Sequence, residues 1–328
     1  MAQPHTAKQI LQRHATLLQN CRDRIITDLE NAPGTAALTR YFQEGKQFRA
    51  LLAFVAASAI GIEPRTIIPV AAALELLHGA SLIHDDIADD AAERRTLSAL
   101  HVQLGIGPAI ILGDYLLLRA FTVLQEAQEV YGLENMSEAS QALNSYAQVC
   151  CRGEFQELMP TSAGNPEDEY LTIVQGKTAS QFAAAVTLPA IIGGGTSKDI
   201  EVLQTYGLNV GIAFQIQDDV LDIIGDRSIL GKPIGNSLTK ARLLLPLIYL
   251  EQYGSPTAHQ EYRRIQQTEA NHLTPLAALL NEERILDRIA LTQDRHLSVA
   301  LQALERLHAS EDRDALSVLA TYAAHQDS

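Results

Sequence analysis

Apolar residues recur at three- and four-residue spacing through most of this 328-residue chain, and nowhere do apolar and polar residues alternate long enough to build a sheet. That regularity restricts the fold class to all-α, because an amphipathic helix repeats every 3.6 residues and a half-buried strand every two. Plentiful Ala and Leu and the absence of Trp agree with it. Breaks fall at Pro33-Gly34, Gly61 to Pro64, Gly105 to Pro108, Ser162 to Pro166, Gly193 to Ser197, Gly225 to Gly235 and Gly254 to Pro256. They imply about ten helices. No Pro/Ser-rich linker, composition shift or solenoid-length repeat divides the chain, so residues 1–328 read as a single domain, a helical bundle with short connections.

Two of the expected helices, Ile67 to about Ala88 and Leu203 to about Ile224, are nearly apolar on every side, which places them in the middle of the bundle. Both end in carboxylates. The first closes with Leu82-Ile83-His84-Asp85-Asp86-Ile87-Ala88-Asp89-Asp90, so that Asp85 and Asp89 stand four apart on one face. The second closes with Phe214-Gln215-Ile216-Gln217-Asp218-Asp219-Val220-Leu221-Asp222, which repeats the arrangement with Asp218 and Asp222. Like charges at this spacing repel, and a helix C-terminus disfavours carboxylates as well. An acidic helix end is commonly a solvated face or an Arg partner. Two of them, each finishing an apolar helix, call instead for a cation. An all-oxygen site suits a hard ion, and Mg²⁺ in particular takes a few carboxylates and completes its shell with water and substrate phosphate. The sequence also carries Lys46, Arg49, Arg94, Arg95, Lys177, Lys232, Lys240 and Arg242 around these motifs, cations that a metal site alone would not need. Each alone also fits a surface charge; together, in an acidic protein, they suit a diphosphate.

The net charge of −14 argues against nucleic acid or an anionic membrane surface as the main partner. Cys21, Cys150 and Cys151 have no metal-ligand spacing and read as core thiols in a reducing compartment. Met1 to Arg24 lacks the apolar segment of an export signal, so a cytoplasmic location is expected. The longest apolar stretches, Ile67 to Leu77 and Pro108 to Leu118, are too short to span a membrane and contain Glu75 and Asp114.

From about Tyr41 to Leu250 the motifs resemble the trans-prenyltransferases, or polyprenyl diphosphate synthases. The resemblance rests on Gly45-Lys46-Gln47-Phe48-Arg49, on Leu74-Glu75-Leu76-Leu77-His78 running into Ser81-Leu82-Ile83-His84-Asp85-Asp86, on Arg94-Arg95, Gly113-Asp114, Lys177-Thr178 and Gly211-Ile212-Ala213-Phe214-Gln215, and on Asp218-Asp219-Val220-Leu221-Asp222 and Gly231-Lys232. It implies a bundle of long helices around a deep central cavity, a homodimer, and three magnesium ions between the Asp motifs. By the same resemblance Asp85, Asp86, Asp89, Asp218, Asp219 and Asp222 bind metal. Arg94, Lys177 and Lys232 would grip an allylic diphosphate, with Arg242 nearby, and Lys46, Arg49, His78 and Arg95 would hold isopentenyl diphosphate. Thr178 and Gln215 would present oxygens to an allylic cation. Small residues at Ala80 and Ser81, where a large aromatic would stop elongation, imply a product of geranylgeranyl length or longer.

The chain departs from that pattern in the segment Asn236-Ser237-Leu238-Thr239-Lys240-Ala241-Arg242, where an Asp is replaced by Ser237 and a Lys by Arg242. Gln47 and Thr96 also replace a frequent Arg and Gly, and no Lys or Arg follows Arg313. Two other readings use the same scaffold: a terpene cyclase, which would not need Lys46, Arg49, His78 and Arg95, and a non-catalytic subunit of a heteromeric synthase, in which the Asp motifs would be degraded.

Overall fold

The structure, a computed structural model, describes residues 6–94, 97–160, 164–225, 242–267 and 273–325. Sixteen α-helices lie among them. The excess over the expected number comes from short helices that break without Pro or Gly, such as α1 (Ala7–Arg13) and α2 (Ala15–Asp28), which meet at His14. α3 is Thr35–Gln43 and α4 is Phe48–Ala59. α5 (Ile68–Ala88) leads into a two-residue hairpin, β1 (Glu93–Arg94) against β2 (Leu97–Ser98), the only strands among the described residues. Then come α6 (Leu100–Leu104), α7 (Ile106–Gln125), α8 (Gln128–Leu158) and α9 (Pro166–Val174). A wide π turn over Gln175–Ala179 joins α9 to α10 (Ser180–Ile192), and α11 (Ser197–Ile224) follows. The rest is α12 (Leu245–Tyr253), α13 (Pro256–Gln266), α14 (Leu273–Glu282), α15 (Ile285–Leu304) and α16 (Glu311–His325).

The helix ends follow local chemistry. Asn165 caps α9 by accepting from the Glu167 N–H, Pro166 occupies the first turn, and three acidic residues face the positive end of its dipole. Thr196 and Asp199 form a reciprocal capping box at the start of α11. That pair begins the helix several residues before Leu203, where the apolar pattern alone placed its start.

α11 is apolar on all sides because both of its faces are used. Val202, Leu203, Tyr206, Val210 and Ala213 join a core built from α4, α5, α7 and α10. Ile212, Ile216 and Ile223 join a second core with α12, α14 and α15. Gly207 and Gly211 let α11 lie directly against α10: a Cβ on Gly207 would come within 2.6 Å of Ala183 Cα. α16 closes over the centre, where the Tyr206 hydroxyl donates to Leu316 O at 2.8 Å and the Gln293 amide donates to Ala213 O and Ala324 O.

Two details differ from the sequence reading. Cys21 is buried and Cys150 half-buried, but Cys151 is exposed, because adjacent residues on a helix point about 100° apart. α5, with the turn before it, and α7 run beyond their apolar stretches and reach a length and composition that would cross a membrane. α5 is nevertheless largely enclosed by the bundle, whereas α7 packs against α5 on one side and leaves Ile106, Ile111 and Leu118 exposed on the other.

Candidate active site

The C-terminal ends of α5 and α11 open on one cavity of about 740 Å³. Asp85 and Asp89 line it from α5, and Asp218, Asp219 and Asp222 from α11. The i, i+4 spacing therefore does put each pair of carboxylates on the cavity side. Asp86, on the adjacent face of α5, turns toward the hairpin, where the Arg94 guanidinium donates to it from Nε at 2.8 Å and also from its second amino group. The same amino group reaches Asp85 Oδ2 at 3.3 Å.

Opposite α5, α8 and the π turn approach so closely that Gly153 and Gly176 are required. A Cβ on Gly153 would clash with the Lys177 N–H and lie 2.6 Å from the Gly176 carbonyl carbon. This contact carries Glu154 and Glu157 of α8 to the Lys177 side chain. The Lys177 ammonium donates to Asp85 at 2.8 Å and Glu157 at 2.6 Å, and pairs with Glu154 at 2.9 Å. Burial opposes its charge, but Asp85, Glu157 and Glu154 outweigh that and raise its pKa. Burial pushes Asp85 upward in turn, and Lys177, backed by Arg94 and Arg242, holds it below the ordinary carboxylate value. Arg242 lies across the same mouth, bonded to Asp89 and 2.8 Å from Glu157.

Deeper in the cavity the Thr178 hydroxyl donates to Gln215 Oε1 at 2.7 Å, and the Gln215 amide donates to Asp219 at 2.9 Å. Asp219 is buried beside the Tyr170 hydroxyl, and burial pushes its pKa up to about 7. Its second oxygen, like Oδ2 of Asp86, is buried and accepts no hydrogen bond of good geometry. Buried carboxylate oxygens left in this state fit a cation. Asp85, Glu154 and Glu157 also present oxygens within 4.8 Å of one another, so the donor set on both sides of the cavity is all-oxygen and suits a divalent metal.

Lys46, Arg49 and His78 line the cavity together with Glu75, Phe48 and Tyr322 of α16. The Lys46 ammonium donates to the Tyr322 hydroxyl at 3.0 Å, and the Arg49 guanidinium lies 5.3 Å from the Phe182 ring centre. Glu75 accepts from the Ala50 N–H at 3.0 Å, which ties the start of α4 to α5. Ser81 lines the cavity, while Ala80, one position earlier, is packed into the core beside it. Arg95, Lys232, Ser237 and Lys240 lie outside the described residues. Glu154, Glu157, Tyr170 and Tyr322 belong to the site and were missed by sequence reasoning. The available signal was the Glu154-x-x-Glu157 spacing on one helix face directly after Gly153.

A family model described as polyprenyl synthetase matches residues 34–282. The octaprenyl diphosphate synthase of Escherichia coli is 32% identical over 286 residues, covering 86% of each chain. The geranylgeranyl diphosphate synthase of Mycobacterium tuberculosis is 32% identical over 287 residues, covering 84% of this chain and 79% of that one. Among solved structures, a polyprenyl synthase from Caulobacter crescentus, complexed with calcium and isoprenyl diphosphate, superposes with a TM-score of 0.87 at 29% identity over 99% of both chains. The chain belongs to the polyprenyl synthetase family and is a prenyltransferase.

Proposed function

We propose that this protein is a magnesium-dependent polyprenyl diphosphate synthase that condenses isopentenyl diphosphate head-to-tail with an allylic diphosphate. The observation that carries this reading is the convergence of two Asp motifs, from α5 and α11, on one cavity that also holds two separate groups of cations. The reading assigns Asp85, Asp86, Asp89, Asp218, Asp219 and Asp222 to about three Mg²⁺ ions. Bound there, the metal would neutralise charge developing on the departing pyrophosphate.

The chain's own residues do the rest. Lys177 and Arg242, with Arg94 and Lys232, bind the allylic diphosphate and stabilise its departure as a leaving group. The Thr178 and Gln215 oxygens face the carbon that becomes positive. Phe214, Leu82 and Val174 line the adjoining wall and keep water from quenching it. Lys46, Arg49 and His78, with Arg95, orient isopentenyl diphosphate so that its double bond attacks. The pyrophosphate released in the first step takes the proton, so no side chain is needed as general base.

Small Ser81 on the cavity wall supports a product of geranylgeranyl length or longer. Relatives at the same identity carry both octaprenyl and geranylgeranyl names, and both lengths fit this reading. We read residues 1–328 as one domain of a cytoplasmic enzyme. We also read the exposed apolar side of α7, with Val130 and Leu133 of α8, as the face that meets a second copy.

The test is incubation of the purified protein with Mg²⁺, labelled isopentenyl diphosphate and, separately, dimethylallyl, geranyl, farnesyl or geranylgeranyl diphosphate, followed by separation of the dephosphorylated products. Label in alcohols of 20 or more carbons is the expected result. Hydrocarbon or pyrophosphate formed from the allylic substrate alone would point to a cyclase, and no turnover at all to a non-catalytic subunit.

A further inference from the structure

Lys177 and Arg242 come from different parts of the chain, yet they end on the same atom. Oε2 of Glu157 accepts from the Lys177 ammonium at 2.6 Å and lies 2.8 Å from the first amino group of Arg242. The remaining partners of these two cations include the first Asp motif: Asp85 and Glu154 for Lys177, and Asp89, with Asp85 at 4.0 Å, for Arg242. Glu157 and the Arg242 side chain are both largely withdrawn from water, 15% and 12% exposed, so these contacts are not the weak kind found between solvated surface charges. The Arg242 fork is spread between two helices, with one amino group on Asp89 of α5 and the other on Glu157 of α8. A lysine there would have to meet both from one nitrogen, as Lys177 does with Asp85 and Glu157, whereas the Arg fork aims a separate amino group at each.

We infer that Glu157 is a positioning residue: it holds Lys177 and Arg242 at the cavity mouth when Asp85 and Asp89 turn to metal. This rests on the metal and diphosphate reading above and adds a residue to it. In this structure the two cations are shared between the Asp motif and α8. Metal at Asp85 and Asp89 would take away the α5 partners of both, leaving Glu157, which contacts both cations here, as their shared carboxylate outside the Asp motifs. Anchored there, each cation keeps N–H donors free to face an allylic diphosphate. Without Glu157, Lys177 and Arg242 fall back on Asp85, Asp89 and Glu154 and compete with the metal for the same oxygens. Arg242, which stands where the resembling family has Lys, is thereby matched to a specific acceptor rather than left as a tolerated change.

The test is calorimetric titration of pyrophosphate into the full-length protein, with and without Mg²⁺, for the parent and for Glu157→Gln, alongside steady-state kinetics. With Mg²⁺ present, E157Q is expected to bind pyrophosphate about tenfold more weakly. It should also need more Mg²⁺ for half-saturation and show a raised KM for the allylic substrate, with the KM for isopentenyl diphosphate unchanged. Arg242→Lys should move the same quantities in the same direction, and E157Q should add little in the R242K background. This second variant keeps the test alive if E157Q does not fold. If E157Q binds pyrophosphate with parental affinity, or more tightly as simple removal of a negative charge would cause, Glu157 has no positioning role. An E157Q protein that melts earlier yet binds normally leads to the same conclusion. A parent protein that binds no pyrophosphate even with Mg²⁺ would instead overturn the diphosphate reading itself, and this inference with it.

Discussion

Lys177 is held by three carboxylates from two helices, so its removal leaves Asp85, Glu154 and Glu157 facing one another in a half-buried space. Lys177→Met is expected to lower kcat by roughly 10²- to 10³-fold, the scale of losing one charged group that stabilises a leaving group. It should also melt earlier in EDTA, with Mg²⁺ restoring most of the loss; steady-state rates and melting curves check both. Asp219 makes a different prediction, through pH. Its folded pKa is raised from 3.8 to about 7 by burial. The folded state therefore holds a proton that the unfolded state has lost, and this group's contribution falls as pH rises from about 4 through about 7. Asp219→Asn should stabilise the metal-free protein at pH 8 and make almost no difference at pH 4, while weakening Mg²⁺ binding. Melting curves at the two pH values in EDTA would show it, and equal shifts at both would contradict it. The Asp motifs were legible in sequence because each is contiguous and ends an apolar helix. Glu154 and Glu157 were not, since what brings them to Lys177 is the close approach of Gly153 to Gly176, more than twenty positions apart.

Helices set the geometry of the site through two contacts that small residues permit. The α8 contact with the π turn leaves no room for a side chain at Gly153, so Gly153→Ala should cost about 1–3 kcal/mol and displace Glu154 and Glu157 from Lys177. Chemical denaturation would measure the first effect, and a disproportionate drop in activity would report the second. The wall of the cavity at Ser81 is the other case. Ser81→Phe is expected to shorten the product by at least one isoprene unit without loss of turnover, as read by product chromatography; unchanged length would place the floor elsewhere. The positions of α5 and α11 followed from their all-round apolar character, and the capping pair Thr196 and Asp199 explains why α11 begins earlier than that character suggests. The joints between helices were less visible. Several carry no Gly or Pro, and the π turn at Gln175–Ala179 interrupts what reads as continuous helix.

Across the whole molecule, α11 unites two cores and α16 packs on the first of them, while one side of α7 keeps large apolar residues exposed. Ile111 and Leu118 on it are 61% and 67% exposed, high values for such side chains in a folded monomer. Ile111→Glu with Leu118→Glu is expected to turn a dimer into a monomer by sedimentation. A parent protein that already sediments as a monomer would contradict that assignment. The central claim, that the two Asp motifs jointly hold metal over a diphosphate, is tested most directly by crystals grown with Mn²⁺, isopentenyl diphosphate and a non-ionisable allylic thiolodiphosphate. Anomalous density should place the metals between Asp85, Asp89 and the Asp218–Asp222 face, with the allylic diphosphate against Lys177 and Arg242 and isopentenyl diphosphate against Lys46, Arg49 and His78. Metal confined to Glu154 and Glu157, or diphosphates bound with no metal on the Asp motifs, would contradict the account.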